Sequence, residues 1–468
     1  MHRQTIYLLL IFTILFAASP AAAQTPTTTD GPIYIVQSGD TLWEIAIAFH
    51  VTVEDLMTAN SLTDADILSA GQELVIPGYE GLSGVLAAET VPYGETFRSL
   101  SRRTQVSSAM LRRLNRLVSP AELYVGISVI IPQQADKPML TVRTSLTPGE
   151  TLLELAVKKD SDPWTLAQVN SLAGTWDALP GDVLYSPTGS SDQNASGLPS
   201  AFASAEVAPL PLKQGGTAQV RVKLSKNASV TGILVDKTLH FFPMDDGSLV
   251  ALQGVHAALD PGLHPLRLEA TLTDGSVQQF EQMILVTPMA HPQDLVLSVD
   301  PDTIDPAVTE SEDNQISGIA TPATSERYWN GEFRRPVGEP YCIKSWFGDR
   351  RSYNKGSYTS LHMGVDYGVC SEQNPLDIFA PAPGVVVFVG QLTVRGNATI
   401  IDHGWGVYSG FWHQSEIYVN VGDRVEAGQL IGQIGKTGRQ NGPHLHWELW
   451  VDGVQVNPLN WLEQTFPQ

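Results

Sequence analysis

A chain of 468 residues, 43% hydrophobic and 16% charged, is too long for one ordinary core and not depleted enough in apolar residues for general disorder. Several domains are expected. The net charge of −21 excludes nucleic acid as a natural partner and gives no attraction to an anionic cell surface, so retention there needs a specific binding module.

Residues 1–23 place His2 and Arg3 before an apolar run from Ile6 to Ala18, followed by Ala21-Ala22-Ala23. This is signal-peptide grammar, with cleavage expected before Gln24 and a product that is secreted or held in the cell envelope. The run is short for a membrane anchor, and no other segment approaches the ~20 apolar residues that cross a bilayer. No transmembrane span is expected once the signal is removed.

The next part of the chain repeats itself. Gly39, Asn60, Leu62, Gly71 and Pro77 recur as Gly94, Asn115, Leu117, Gly126 and Pro132, then as Gly149, Asn170, Leu172, Gly181 and Pro187, always 55 residues apart. A constant offset over five anchors marks a tandem repeat, placed at residues 32–79, 88–134 and 141–188. In the first copy Ile33 to Val36 reads as a strand, and Ser38-Gly39-Asp40-Thr41 offers turn and N-cap chemistry. Leu42, Ile45, Ala46 and Phe49 fall at helical spacing, and Thr52 with Asp55 begins a second short helix. Gly71 to Pro77 then supplies a closing strand, completing a small α+β unit of βααβ order.

Val36-Gln37-Ser38-Gly39-Asp40-Thr41-Leu42-Trp43-Glu44-Ile45-Ala46, Asn60 and Leu74-Val75-Ile76-Pro77 resemble the LysM family. The resemblance implies binding of N-acetylglucosamine-containing glycans, in peptidoglycan or chitin. The second copy departs from the pattern with Phe97 and Ser99, and it gathers Arg98, Arg102, Arg103, Arg112, Arg113 and Arg116, read as a solvated face. The third has Trp164 in an unusual context and ends in Tyr185-Ser186-Pro187. Their bland alternative is a pair of spacers that kept the fold without the ligand.

Gly189 to Pro199 reads as a linker. Segments 218–224, 230–235, 266–272 and 279–286 then look like strands, for which a β-sandwich of immunoglobulin type over residues 200–289 is expected. His240, His256, His264 and His291 lack carboxylates at ligand spacing and read as structural or exposed. From Asp294 to Asp313 stand seven acidic residues and no basic one, without the periodicity of a calcium loop; residues 290–330 read as an extended acidic linker.

Residues 331–468 turn to short β-like runs punctuated by glycine, the pattern of a mainly antiparallel β domain. Within them His362-Met363-Gly364-Val365-Asp366 is answered by His444-Leu445-His446. In extended backbone, residues two or four apart face the same side, so His362 joins Asp366 and His444 joins His446. Two imidazoles and one carboxylate complete a catalytic zinc site with a position left open. Cys342 and Cys370, on either side of the first ligand pair, most simply form a disulfide worth about 3 to 4 kcal/mol; cysteine ligation of the metal is the competing reading.

Trp346-Phe347-Gly348, His362 to Gly368, Ala380-Pro381-Ala382-Pro383-Gly384, Val421-Gly422-Asp423-Arg424-Val425 and Gly442-Pro443-His444-Leu445-His446-Trp447-Glu448 together resemble the lysostaphin/LytM-type zinc metallopeptidases. That resemblance implies that His362, Asp366 and His446 bind Zn2+ and that His413 and His444 act at the reacting peptide. Phe411-Trp412-His413-Gln414 departs from the family's Tyr-x-His-Leu but keeps the histidine. Without an H-E-x-x-H helix to supply a glutamate base, histidine must move the protons. His403 is assigned to structure. The whole reads as an exported zinc endopeptidase cutting the peptide part of peptidoglycan while LysM modules hold the glycan. The alternatives are a non-catalytic wall-binding regulator of another hydrolase, and a D-Ala-D-Ala type zinc carboxypeptidase, which the short His362 to Asp366 spacing fits poorly.

Overall fold

The structure, a computed structural model, describes residues 31–79, 82, 84–133, 138–146, 149–189, 196–356 and 358–468. The expected signal segment lies outside the described residues. Among them, no helix is long and apolar enough to cross a membrane. Two units divide the chain, residues 1–85 and 86–468.

The first unit is the βααβ module. Strands Ile33–Ile35 and Glu73–Val75 pair antiparallel, and helices Leu42–Ala48 and Val53–Ala59 lie between them in sequence. Thr41 caps the first helix by accepting from the Glu44 N–H while the Glu44 carboxylate accepts from the Thr41 N–H, a reciprocal box that satisfies two otherwise orphaned donors. Thr52 caps the second helix through the Asp55 N–H. Leu42, Ile45, Ala46 and Phe49 are buried as their spacing predicts, and Trp43 is left 65% exposed.

The repeated asparagine has a structural reason. Asn60 ends the second helix, donates to the Leu56 and Val75 carbonyls and accepts from the Val75 N–H, tying helix to closing strand. Asn115 does the same with Leu111 and Ile130, and Asn170 with Leu166 and Tyr185. An amide with an acceptor and two donors is the side chain that can fill all three roles.

In the second unit, the second and third copies keep the two-helix core, with helices Phe97–Thr104 and Ser108–Leu114, then Leu152–Lys158 and Pro163–Val169. The arginine cluster of the second copy is not a uniformly solvated face. Arg102 is buried and donates to the Asn170 and Val183 carbonyls at 3.1 and 2.6 Å, binding the second copy to the third. Arg103 pairs at 3.0 Å with the buried Glu95. Residues 196–198 cover the start of the copy's first helix so closely that a Cβ on Gly94 would lie 2.4 Å from Leu198 Cγ. The corresponding Gly39 and Gly149 have open space.

A β-sandwich follows. Its five-stranded sheet is built on Gly262–Leu272 and Val277–Thr287, and its four-stranded sheet on Phe202–Ala208, Thr217–Leu224 and Leu249–Gly254. Between the sheets lie Val220, Ala251, Leu266, Leu268 and Ile284. The four-stranded sheet is covered on its other face too: Val250 and Leu252, which alternate with Ala251, join Phe242 in one core with Trp405, Val451, Val456 and Trp461 of the C-terminal domain. Phe242 stacks on Trp405, and Trp461 Nε1 donates to Thr217. A strand buried on both faces has no polar alternation to reveal it, which is why Leu249–Gly254 escaped the sequence pattern.

Residues 290–330 are not an extended linker. Gln293–Leu297 pairs parallel with Arg350–Tyr353, and Pro306–Ala320 is a helix whose Ile316 and Ala320 pack on Ala398, Ile400, Tyr408, Trp412 and Trp450. Few apolar residues carry this contact, hence the polar reading. Its acidity is partly internal: Glu312 is buried and accepts from the Val394 and Arg395 N–H groups and from the Arg395 guanidinium.

The C-terminal domain is a twisted antiparallel sheet in the order Cys342–Ser345, Val365–Gly368, His444–Val451, Val407–Ile417, Gly396–Gly404, Gly384–Leu392 and Arg424–Val425. Cys342 and Cys370 are joined in a disulfide, so they are not metal ligands.

Candidate active site

The central strands bring the sequence motifs together. Val365–Gly368 and His444–Val451 pair so that Asp366 stands opposite His446. His362, just before the first of these strands, places Nε2 3.1 Å from Asp366 Oδ1 and 2.8 Å from His446 Nδ1, and the last two atoms are 2.7 Å apart. All three side chains are buried.

Their outer contacts decide which atoms face inward. His362 Nδ1 lies 2.8 Å from the Trp346 carbonyl, which can only accept, so the proton sits on Nδ1 and the Nε2 lone pair points into the site. His446 Nε2 lies 2.9 Å from Glu448 Oε1, freeing Nδ1, while Arg351 holds the other oxygen of Asp366. Three lone pairs therefore converge on one point, which is unfavourable without a cation between them. Such a buried His2Asp donor set, each member oriented from behind, fits a metal ion of the zinc type.

His413 and His444 complete the arrangement, their rings 4.8 Å apart, and the His413 ring lies 6.2 Å from that of His446. Their Nδ1 atoms contact the Thr437 and Gly442 carbonyls at 2.7 and 2.8 Å, so each Nε2 is left with a lone pair. His444 Nε2 is 3.7 Å from Asp366 Oδ1. Strand geometry puts His444 beside ligand-type His446 as the period of two requires. His413 arrives differently: Trp412 and His413 oppose the single residue Ala398 in a β-bulge, and His413 sits in the left-handed region at φ +67°.

Electrostatics keep these groups in useful states. Burial, reinforced by the neighbouring His444 and His446, holds the His413 imidazole well below its ordinary value, and burial likewise lowers His444. Both are therefore neutral at pH 7 and able to accept a proton. Burial lowers His362 to about 4. At Asp366 burial opposes ionisation, but His362, Arg351 and His444 outweigh it and hold the carboxyl far down. At His446 burial is outweighed by Asp366 and Glu448, so its pKa rises; a proton on Nδ1 and a metal cation compete for one position.

The five residues expected at the site thus lie together, His362, His413 and His446 lining a cavity of about 430 Å³. Two further groups were not anticipated. Glu448 was accessible to the period-two argument, being two residues beyond His446; Arg351 reaches the site only through tertiary packing. His403 is elsewhere, with Nδ1 on the Pro383 carbonyl and Nε2 on Ser409 Oγ at 2.7 and 2.9 Å.

His403 also makes a pH prediction. Burial lowers its pKa to about 4, so below an unfolded value near 6.5 the unfolded chain takes up a proton that the folded chain refuses. Stability is full above that value and falls as pH drops toward 4, by about 3 kcal/mol from this residue. Denaturant unfolding at pH 7 and pH 4.5 is expected to show a smaller pH penalty for His403→Gln than for wild type, from a lower starting stability.

Peptidase family M23 matches residues 360–458, and the LysM domain family matches residues 34–77 and 90–132. Residues 360–458, in the large antiparallel sheet, thus match an M23 peptidase domain, residues 34–77 and 90–132 match LysM domains, and the β-sandwich stands between them in sequence. Among curated proteins it is 36% identical over 128 residues to the peptidoglycan DD-endopeptidase ShyA of Vibrio cholerae, covering 27% of this chain and 29% of that one. To the DD-carboxypeptidase/endopeptidase Mpg of Neisseria meningitidis it is 40% identical over 100 residues, covering 21% and 22%. The chain thus matches less than a third of the length of these relatives. The catalytic domain of lysostaphin from Staphylococcus simulans aligns at 28% identity with a TM-score of 0.23, covering 26% of this chain and 93% of that one.

Proposed function

We propose that this protein is an exported zinc endopeptidase that hydrolyses peptide bonds in peptidoglycan, held to wall glycan by LysM modules. The observation that carries the reading is the convergence of His362 Nε2, Asp366 Oδ1 and His446 Nδ1, with two neutral imidazoles beside them. His362, Asp366 and His446 would hold the ion, which supplies a Lewis acid and a water acidic enough to attack at neutral pH. Of the remaining pair, one imidazole takes the proton of the attacking water, and the imidazolium so formed stabilises the developing oxyanion or passes that same proton to the leaving amine, with the other imidazole beside it. Arg351 and Glu448 keep the ligand atoms aimed.

Exposure bears on which modules hold glycan. Trp43 in the first copy and Trp164 and Trp176 in the third, 75% and 79% exposed, present broad rings to solvent. The start of the first helix in the second copy is covered by residues 196–198, so that copy is assigned to spacing and the glycan to the others.

The test is incubation of the chain from Gln24 onward with isolated cell-wall sacculi, followed by mass spectrometry of what is released. Expected are soluble fragments ended by peptide cleavage, abolished by a chelator and restored by Zn2+. Zinc-loaded protein that binds sacculi without cutting them would favour the regulatory alternative.

A further inference from the structure

His413 occupies a backbone conformation that a side-chain-bearing residue adopts at a cost, and something must hold it there. Two contacts do so. Its N–H donates to the Arg395 carbonyl at 2.9 Å, and its Nδ1–H to the Thr437 carbonyl at 2.7 Å. Both acceptors belong to one locked assembly. The turn at Val394, Arg395 and Gly396 meets the 437–439 loop through Arg439 N–H to the Val394 carbonyl at 2.7 Å and Asn397 N–H to Thr437 Oγ1 at 2.9 Å. Gly396 lies so close that a Cβ there would fall 2.3 Å from Thr437 Oγ1.

That turn is held from outside the matched peptidase region by the helix Pro306–Ala320. Glu312, on the helix Pro306–Ala320, accepts with Oε2 from the Val394 N–H at 2.8 Å and with Oε1 from the Arg395 N–H at 2.9 Å and Arg395 Nη1 at 3.1 Å. Asp313 takes the other end of the same guanidinium at 2.9 Å. A buried carboxylate is costly unless its oxygens are occupied, and here three donors occupy them. The helix also packs Ile316, Ile319 and Ala320 against the sheet, and this polar clamp adds the directional contact.

We infer that Glu312 is a positioning residue for His413: through the 394–396 turn it sets the carbonyls that fix the backbone and ring of that histidine. This rests on the functional reading above only for its kinetic consequence. A displacement of about 1 Å at a proton-transfer group costs on the order of 10²-fold in rate. Glutamine has the shape of glutamate but one acceptor oxygen, and its NH2 would confront an N–H donor.

The zinc-loaded full chain is the material, with a soluble cross-linked muropeptide as substrate. E312Q is expected to lower kcat by about ten-fold or more, leaving KM within about two-fold and zinc content unchanged, while E312D, which keeps both oxygens, recovers part of the loss. Ala320→Gly, which loosens the same helix away from the turn, should lower Tm and leave kcat. Imidazole NMR provides a readout independent of cutting: the protected Nδ1–H proton of His413 should shift or be lost in E312Q. Should E312Q not fold, E312D is read in the same two ways. A folded, zinc-loaded E312Q with wild-type kcat and an unmoved His413 resonance overturns the inference. If the wild-type chain cuts nothing, the functional reading fails, and the resonance alone decides the role of Glu312.

Discussion

His413→Ala in the zinc-loaded full chain is expected to reduce peptide release by about 10²- to 10⁴-fold while leaving one metal per chain. The imidazole makes no approach to the ligand set as short as those among His362, Asp366 and His446, so its removal takes away proton transfer and not the ion. Asp366→Ala should behave differently, losing metal and activity together and leaving Arg351 with only Asp294 among the described residues, 3.8 Å from its Nε, to balance its buried charge. Metal content by atomic emission alongside single-turnover rates separates the two classes. A His413→Ala variant as fast as wild type would remove this histidine from the mechanism, and one that lost its metal would make it a ligand.

The isolated C-terminal domain, residues 331–468, is expected not to fold. The domain resembles a self-contained peptidase, yet Phe242, Val250 and Leu252 of the sandwich close one end of its core over Trp405, Val451, Val456 and Trp461. At about 1.5 to 3 kcal/mol for each large apolar side chain, losing that cover removes roughly 5 kcal/mol or more, against the 5–15 kcal/mol that a typical domain possesses. The acidic helix, with Ile316 and Ala320, would be lost as well. Residues 86–468, which retain both, should unfold cooperatively by near-ultraviolet circular dichroism and calorimetry. Residues 331–468 should aggregate or bind a hydrophobic dye. A sharp, reversible melt of the shorter fragment would show that the sandwich is merely adjacent.

The acidic segment shows where local reading fails. Seven carboxylates and no cations between Asp294 and Asp313 are the mark of a solvated tether, and each residue taken alone supports that. What overturns it is one partner eighty residues away: Arg395 and two turn N–H groups make burial of Glu312 acceptable, and the helix follows. The arginines of the second repeat err in the same direction, since Arg102 finds its acceptors in the third repeat and Arg103 finds Glu95. Burial of charge is a pairwise property, and pairs distant in sequence leave no periodic trace.

Local rules, by contrast, are enough wherever one element suffices. The 55-residue repeat located the asparagines, whose three hydrogen bonds join a helix end to a strand fifteen residues later. Alternation along extended backbone placed His444 with His446, because a strand turns every second side chain to the same face, while His362, expected beside Asp366 on the same ground, reaches it from the short connection before the strand. Resemblance then proposed which of them are ligands and which carry protons. Strand register brought Asp366 opposite His446, the bulge turned His413 inward, and the packing of Arg351 and Glu448 aimed Asp366 and His446; these were decided only in the folded molecule. The members of the candidate site were therefore legible in residue type and spacing. Its geometry depends on contacts between segments far apart in the chain, which form only when burial makes each partner necessary to the other.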